Sequence, residues 1–198
     1  MRNNILLKLF VFLLCISCKS QKNQSNRDTQ EIVNVLLEEY GLVYLIRETY
    51  YNDSSFNPIN ILNPYYRAYG YGIMKKSPTE KEKNIAYTVF LKDIDGLISK
   101  NELDEMKQKY KSWSIKKWEE SDIKNNKVKL ILLQDSKKNK DSIPTVIFSE
   151  PLFTKDKKKA IIHTTYVKNK TGASGIQIMV KENGKWIKKG GIANATIG

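Results

Sequence analysis

Asn183-Gly184 stands between two runs of alternating side chains, and this dipeptide narrows the possible folds of the chain more than any other feature. A two-residue type I′ turn needs positive φ at both central positions, a conformation that Asn and Gly accept and β-branched residues resist. On the strand entering the turn, Ile176, Ile178 and Val180 alternate with Gln177, Met179 and Lys181, the period of two that belongs to a sheet. The same period reaches back to Val128. It predicts strands near Val128–Gln134, Thr145–Phe153, Ala160–Val167, Ile176–Glu182 and Lys185–Ile192, separated by polar turns. Pro151 has no N–H for a ladder, which places it at an edge or a bulge. Short links between the last strands predict an antiparallel meander.

Upstream the period is that of a helix. Asp28 or Thr29 can cap a helix from about Gln30 to about Tyr50, with Val33, Leu36, Tyr40 and Val43/Tyr44 on one face and Gly41 marking a kink or a close contact. Asn57-Pro58, Asn63-Pro64 and Ser77-Pro78 then punctuate residues 52–84, which read as a long loop. Ser99-Lys100-Asn101-Glu102 is an S-x-x-E capping box, and Leu103, Met106, Tyr110 and Trp113 follow at helical spacing. The expected fold class is therefore α+β: N-terminal helices packed on a C-terminal antiparallel β-meander, in a single domain over 28–198.

The first residues carry an address. Arg2 and Lys8 precede an unbroken apolar run from Leu9 to Ile16, which matches the charged and apolar regions of a secretory signal. The run is too short to span a bilayer, which takes about 20 apolar residues. Its end, Ser17-Cys18, resembles a bacterial lipobox, although Cys15 stands where that motif usually has Leu. The resemblance implies a type II signal peptide over 1–17, palmitate-type acyl chains on Cys18 and a flexible tether over 18–27. One acyl chain holds a protein to a membrane only reversibly, whereas two or more anchor it. The segment Phe148-Ser149-Glu150-Pro151-Leu152-Phe153, Lys159-Ala160 and Asn183-Gly184-Lys185-Trp186 is similar to the C-terminal sheet of small uncharacterised lipoproteins of Bacteroidetes-type bacteria. Those relatives often place a Cys- and Gly-rich loop where this chain reads Lys168-Asn169-Lys170-Thr171-Gly172-Ala173-Ser174-Gly175. Together these imply a lipoprotein of a Gram-negative cell envelope, held to a membrane by its lipid and facing the periplasm.

Charge and cysteine content exclude several classes of function. The chain has a formal net charge of +13, and removal of residues 1–17 takes away only Arg2 and Lys8 among charged groups. Lysine supplies nearly all of the excess, since Arg2, Arg27, Arg47 and Arg67 are the only arginines. Base and phosphate readers lean on arginine's planar fork, so no nucleic-acid partner is expected. Attraction to anionic headgroups or envelope polymers is the use such charge suits. With Cys15 and Cys18 the only cysteines, the domain has no disulfide, thiol nucleophile or thiolate metal site.

The remaining chemistry is sparse. Residues 91–102 resemble an EF-hand loop, with Asp93, Asp95 and Glu102 as ligands, but Leu91 replaces the first carboxylate. Asp95-Gly96 is also a turn and Ser99 with Glu102 a cap without any metal, so neither calcium nor another cofactor is expected beyond the lipid on Cys18. His163 is the single histidine and lies in a strand, without a G-x-S-x-G elbow or a second zinc ligand in the sequence. Glu119, Glu120 and Asp122 form a carboxylate cluster of the kind glycoside hydrolysis uses, though sequence adjacency does not set the required separation. No catalytic residue is assigned. Eight of eleven tyrosines fall between Tyr40 and Tyr71, and Tyr65, Tyr66, Tyr69 and Tyr71 form the best candidate contact surface. The expected function is non-catalytic binding of an envelope or secreted protein, as an immunity or assembly module. An envelope glycan-binding protein or hydrolase is the alternative.

Overall fold

The computed structural model describes residues 26–48, 79–81, 96–110, 117–136, 143–169 and 171–197. Seven strands form one sheet: β1 (Val43–Ile46), β2 (Val128–Ile131), β3 (Thr145–Phe148), β4 (Leu152–Phe153), β5 (Lys159–Lys168), β6 (Thr171–Glu182) and β7 (Lys185–Ile197). Their order is β2-β1-β3-β5-β6-β7, with β4 also pairing β5. Helices among the described residues include α1 over 26–37, α2 (Lys100–Lys109) and the single turn α3 (Leu133–Ser136), with a 3-10 turn at Glu120–Asp122.

This sheet overturns the expectation of N-terminal helices on a C-terminal antiparallel meander. It is mixed and open, and a strand from the N-terminal part of the chain lies inside it, next to the β2 edge. β1 lies between β2 and β3 and runs parallel to both. The helix expected to reach Tyr50 stops at residue 37, and after a turn the chain re-enters as a strand. Val43-Tyr44-Leu45-Ile46 is a short apolar run with β-branched and aromatic members, and such a run suits a buried parallel strand as well as a helix face. Its backbone groups find partners on either side: Val43 N donates to Lys127 O at 3.2 Å and Tyr44 N to Pro144 O at 2.9 Å. Only β3 through β7 are joined by antiparallel pairings.

Two local expectations appear in the structure. Asn183 and Gly184 have φ of 49° and 79°, the double left-handed turn required between β6 and β7. Ser99 and Glu102 form the reciprocal capping box of α2, with Ser99 N donating to Glu102 Oε2 at 2.7 Å. Leu103 and Met106 are buried and Tyr110 caps the helix, while Trp113 lies outside the described residues. Pro151 sits at a break between β3 and β4. Both strands pair with the same side of β5, and Ser149, Glu150 and Pro151 oppose only Ile162 and His163, a bulge of one residue. Ser149 Oγ accepts from His163 N at 2.9 Å, replacing the carbonyl that the bulge turns away.

Both sheet faces are covered. Ile32, Val33, Leu36 and Leu37 of α1 pack over Leu45, Phe148, Ala160, Ile162, Met179 and Trp186. On the other face Ile98, Leu103 and Met106 pack over Leu152, Ile161, Ile176, Ile178 and Ile192. Alternation along β5 explains the split, since Ala160 and Ile162 face one layer and Ile161 the other. No helix among the described residues is long and apolar enough to cross a membrane.

Candidate functional site

A buried polar anchor sets where α1 lies on the sheet. Asp28, 1% exposed, accepts from Lys181 Nζ at 2.6 Å and from Trp186 Nε1 at 3.1 Å. Glu31 Oε1 accepts from Trp186 N at 3.1 Å. Asp28 is thus not the helix cap expected from sequence; it is a carboxylate inside the helix, held against the β6–β7 hairpin. From that fixed start α1 runs along the sheet and ends at residue 37, while β5, β6 and β7 continue beyond it.

The stretch of sheet beyond α1 forms a groove of about 550 Å³, within the size range of ligand sites. Thr164 of β5, Gly175 and Gln177 of β6 and Gly191 of β7 are on its floor, and Gln177 Nε2 donates to Thr164 Oγ1 at 3.2 Å. One wall is aromatic. Tyr40 stacks on Tyr166 with ring centroids 5.7 Å apart and planes 15° from parallel, and meets Phe148 at 6.3 Å. Burial pushes the Tyr40 hydroxyl above its ordinary pKa, with the Glu39 charge adding to the effect. At the opposite rim Lys188 Nζ holds both carboxylate oxygens of Glu39 at 2.8–2.9 Å. A Cβ on Gly191 would lie 2.7 Å from both Gln177 Oε1 and Ile176 O, so the floor can stay open only with glycine there.

Chemically the groove offers hydroxyls, an amide and aromatic surface, with its charges confined to the rim. That combination binds by shape and hydrogen bonding. His163 is adjacent to Thr164 in sequence, but strand alternation turns it to the opposite face. It is 7% exposed, and burial pulls its pKa down to about 4, so it is neutral at ordinary pH.

The carboxylates singled out in the sequence are engaged in structural bonds. Glu119 and Glu120 meet Arg47 at 3.2 and 3.1 Å, and Asp122 accepts from Gln30 Nε2 at 2.9 Å and from Glu119 N. Glu102 serves the α2 cap and pairs with Lys159 at 2.9 Å. Partial burial works to raise the Glu102 pKa, but the bonds from Ser99 and the Lys159 ammonium together lower it. Cys18, Tyr65, Tyr66, Tyr69, Tyr71, Asp93 and Asp95 lie outside the described residues, so the structure brings none of them to the groove or away from it. Among the described residues no group of three or more His, Cys, Asp or Glu side chains is placed to hold a metal.

Sequence reasoning passed over Thr164, Gln177 and Gly191. The available signal was the run of small residues, Gly172-Ala173-Ser174-Gly175 and Gly190-Gly191, inside strands, where glycine marks close approach or an uncovered face. Most of that first run lies in the ladder: Thr164 to Lys168 pair with Gly175 to Thr171, and Asn169, at φ 50°, turns the hairpin. No protein-family model, curated protein or solved structure matches this chain.

Proposed function

We propose that this chain is a lipid-anchored protein of a Gram-negative envelope that binds another envelope or secreted protein, as an immunity or assembly-accessory module. The anchor rests on the sequence of residues 1–18, whose short apolar run ends in Ser17-Cys18. The observation that favours binding is the groove itself, with an uncharged floor of Thr164, Gly175, Gln177 and Gly191 beside the Tyr40–Tyr166 stack. Aromatic surface with a few polar groups is what a protein partner's side chains seat against. The tyrosines at 65, 66, 69 and 71 add a second contact surface to this proposal.

Three variants separate binding from chemistry. Gln177→Arg fills the groove without changing a core side chain, and Tyr66→Ala with Tyr69→Ala removes the second surface. Association with the partner is expected to fall in both while His163→Ala leaves it intact. A cellular phenotype confined to His163→Ala would overturn the proposal in favour of a hydrolase. The hydroxyl and amide floor beneath an aromatic wall also suits a sugar ring, which supports the glycan-binding alternative. Under that reading, envelope oligosaccharides raise the melting temperature of the native chain and not of Gln177→Arg, because a ligand bound only to the native state stabilises it.

A further inference from the structure

The first described residues, from 26 onward, belong to α1, and the sheet end beside them is rich in lysine. Asp28 fixes that start against Lys181, and Lys181 N donates to Lys158 O at 2.8 Å, so the β4–β5 turn adjoins the β6–β7 hairpin. Arg27, Lys155, Lys158 and Lys185 are exposed here, and Lys157 is half-buried in the β4–β5 turn. Lys109, at the end of α2, joins them through a bond from its Nζ to Phe153 O at 3.2 Å. Burial lowers the Lys109 pKa, and the nearby Lys157 charge adds to it.

The acids at this end do not balance the cluster. Asp28 is bonded to Lys181, Glu31 accepts from Trp186 N, Asp156 accepts from Thr154 Oγ1 at 2.7 Å and from Lys158 N, and Glu182 pairs with Lys189 at 2.9 Å. No ion pair among the described residues engages Arg27, Lys155, Lys157, Lys158 or Lys185. At the other end of α1, Glu39 is paired with Lys188.

We infer that this basic end docks on the anionic phospholipid headgroups of the membrane that holds the Cys18 lipid, and so orients the domain. The inference rests on the anchor reading for its geometry. From Cys18 to Arg27 the chain can reach at most about 30 Å, which keeps the start of α1 near the bilayer. Exposed lysines there interact with the headgroups when they lie within a Debye length of about 10 Å. Lysine is a mobile point charge and suits a diffuse anionic surface without requiring the fixed forks that arginine gives. The eight residues along β5 from Lys159 to Tyr166 span roughly 23 Å, so docking at the lysine end turns the groove away from the membrane.

The test is amine acetylation of the full-length, naturally processed protein on vesicles, read lysine by lysine by mass spectrometry. On vesicles of one-third phosphatidylglycerol in phosphatidylcholine, Lys155, Lys157, Lys158 and Lys185 are expected to react several-fold more slowly than on pure phosphatidylcholine. Lys124, Lys127 and Lys129, near the far sheet edge, should react alike on both. In a Lys155→Gln, Lys158→Gln, Lys185→Gln chain, protection of the remaining Lys157 should disappear. Equal rates on the two vesicles would overturn the docking surface. The mass of the peptide containing Cys18 reads the anchor separately: an unmodified Cys18 with protected lysines refutes the anchor alone, and a lipidated Cys18 with unprotected lysines refutes the docking alone.

Discussion

Two buried polar residues, His163 and Asp28, each carry a measurable share of the stability. His163 folds neutral, with its pKa near 4 against about 6.5 when exposed. Below pH 6.5 the unfolded chain binds a proton that the folded chain refuses, so stability is complete above that pH and falls as pH drops from about 6.5 to 4. The loss attributable to this residue is on the order of 3 kcal/mol. Urea titrations at a series of pH values should show the slope in the native chain and its removal in His163→Gln. Asp28 is a buried carboxylate that accepts from both Lys181 and Trp186. Asp28→Ala leaves both without their acceptor and is expected to cost about 2–3 kcal/mol in urea denaturation. Glu39→Ala, which breaks the exposed pair with Lys188, should cost no more than about 1 kcal/mol. At this scale the sequence was informative about residue type and silent about role. His163 reads as a strand residue from its neighbours, whereas Asp28 looks like a cap, because no local pattern reveals a partner 153 residues away.

The elements separate into those specified by local contacts and those specified by distant ones. The α2 cap and the β6–β7 turn each depend on residues within three positions, and both were legible. Where α1 ends and β1 begins was not, because Val43-Tyr44-Leu45-Ile46 continues the apolar spacing of the helix and only pairing with β2 and β3 converts it to a strand. The split of the expected Thr145–Phe153 strand has a comparable origin, since the proline shows that the ladder is interrupted and Ser149 decides how it is repaired. Element packing also turns on single bonds. Tyr110 Oη, whose pKa is pushed up to about 12 chiefly by burial, accepts from Phe153 N at 2.8 Å and fastens the end of α2 to β4. Tyr110→Phe keeps the ring and leaves that N–H unpaired, so a loss of about 1–3 kcal/mol is expected in equilibrium unfolding. A change within a few tenths of a kcal/mol would mean that the two elements are held by apolar contact alone.

For the whole molecule, the candidate site arises from a mismatch of lengths: a helix of limited reach lies on strands that outrun it. No segment of sequence contains that fact, because the floor is assembled from β5, β6 and β7 and the wall from the turn after α1. Small residues at Gly172–Gly175 and Gly190–Gly191 were visible, but their meaning depends on α1 stopping at residue 37. The signal and tether, by contrast, are read from contiguous residues. The proposed arrangement combines both, with a lipid at Cys18, a lysine-rich end beside the membrane and a groove directed outward to a protein partner. In-cell crosslinking of the full-length chain, with identification of the copurifying species and Cys18→Ala as the comparison, tests that union most directly. The account predicts one discrete envelope or secreted protein, captured by the native chain and lost when the anchor residue is replaced. Recovery of glycan fragments alone, or of the same protein at equal yield without Cys18, would contradict it.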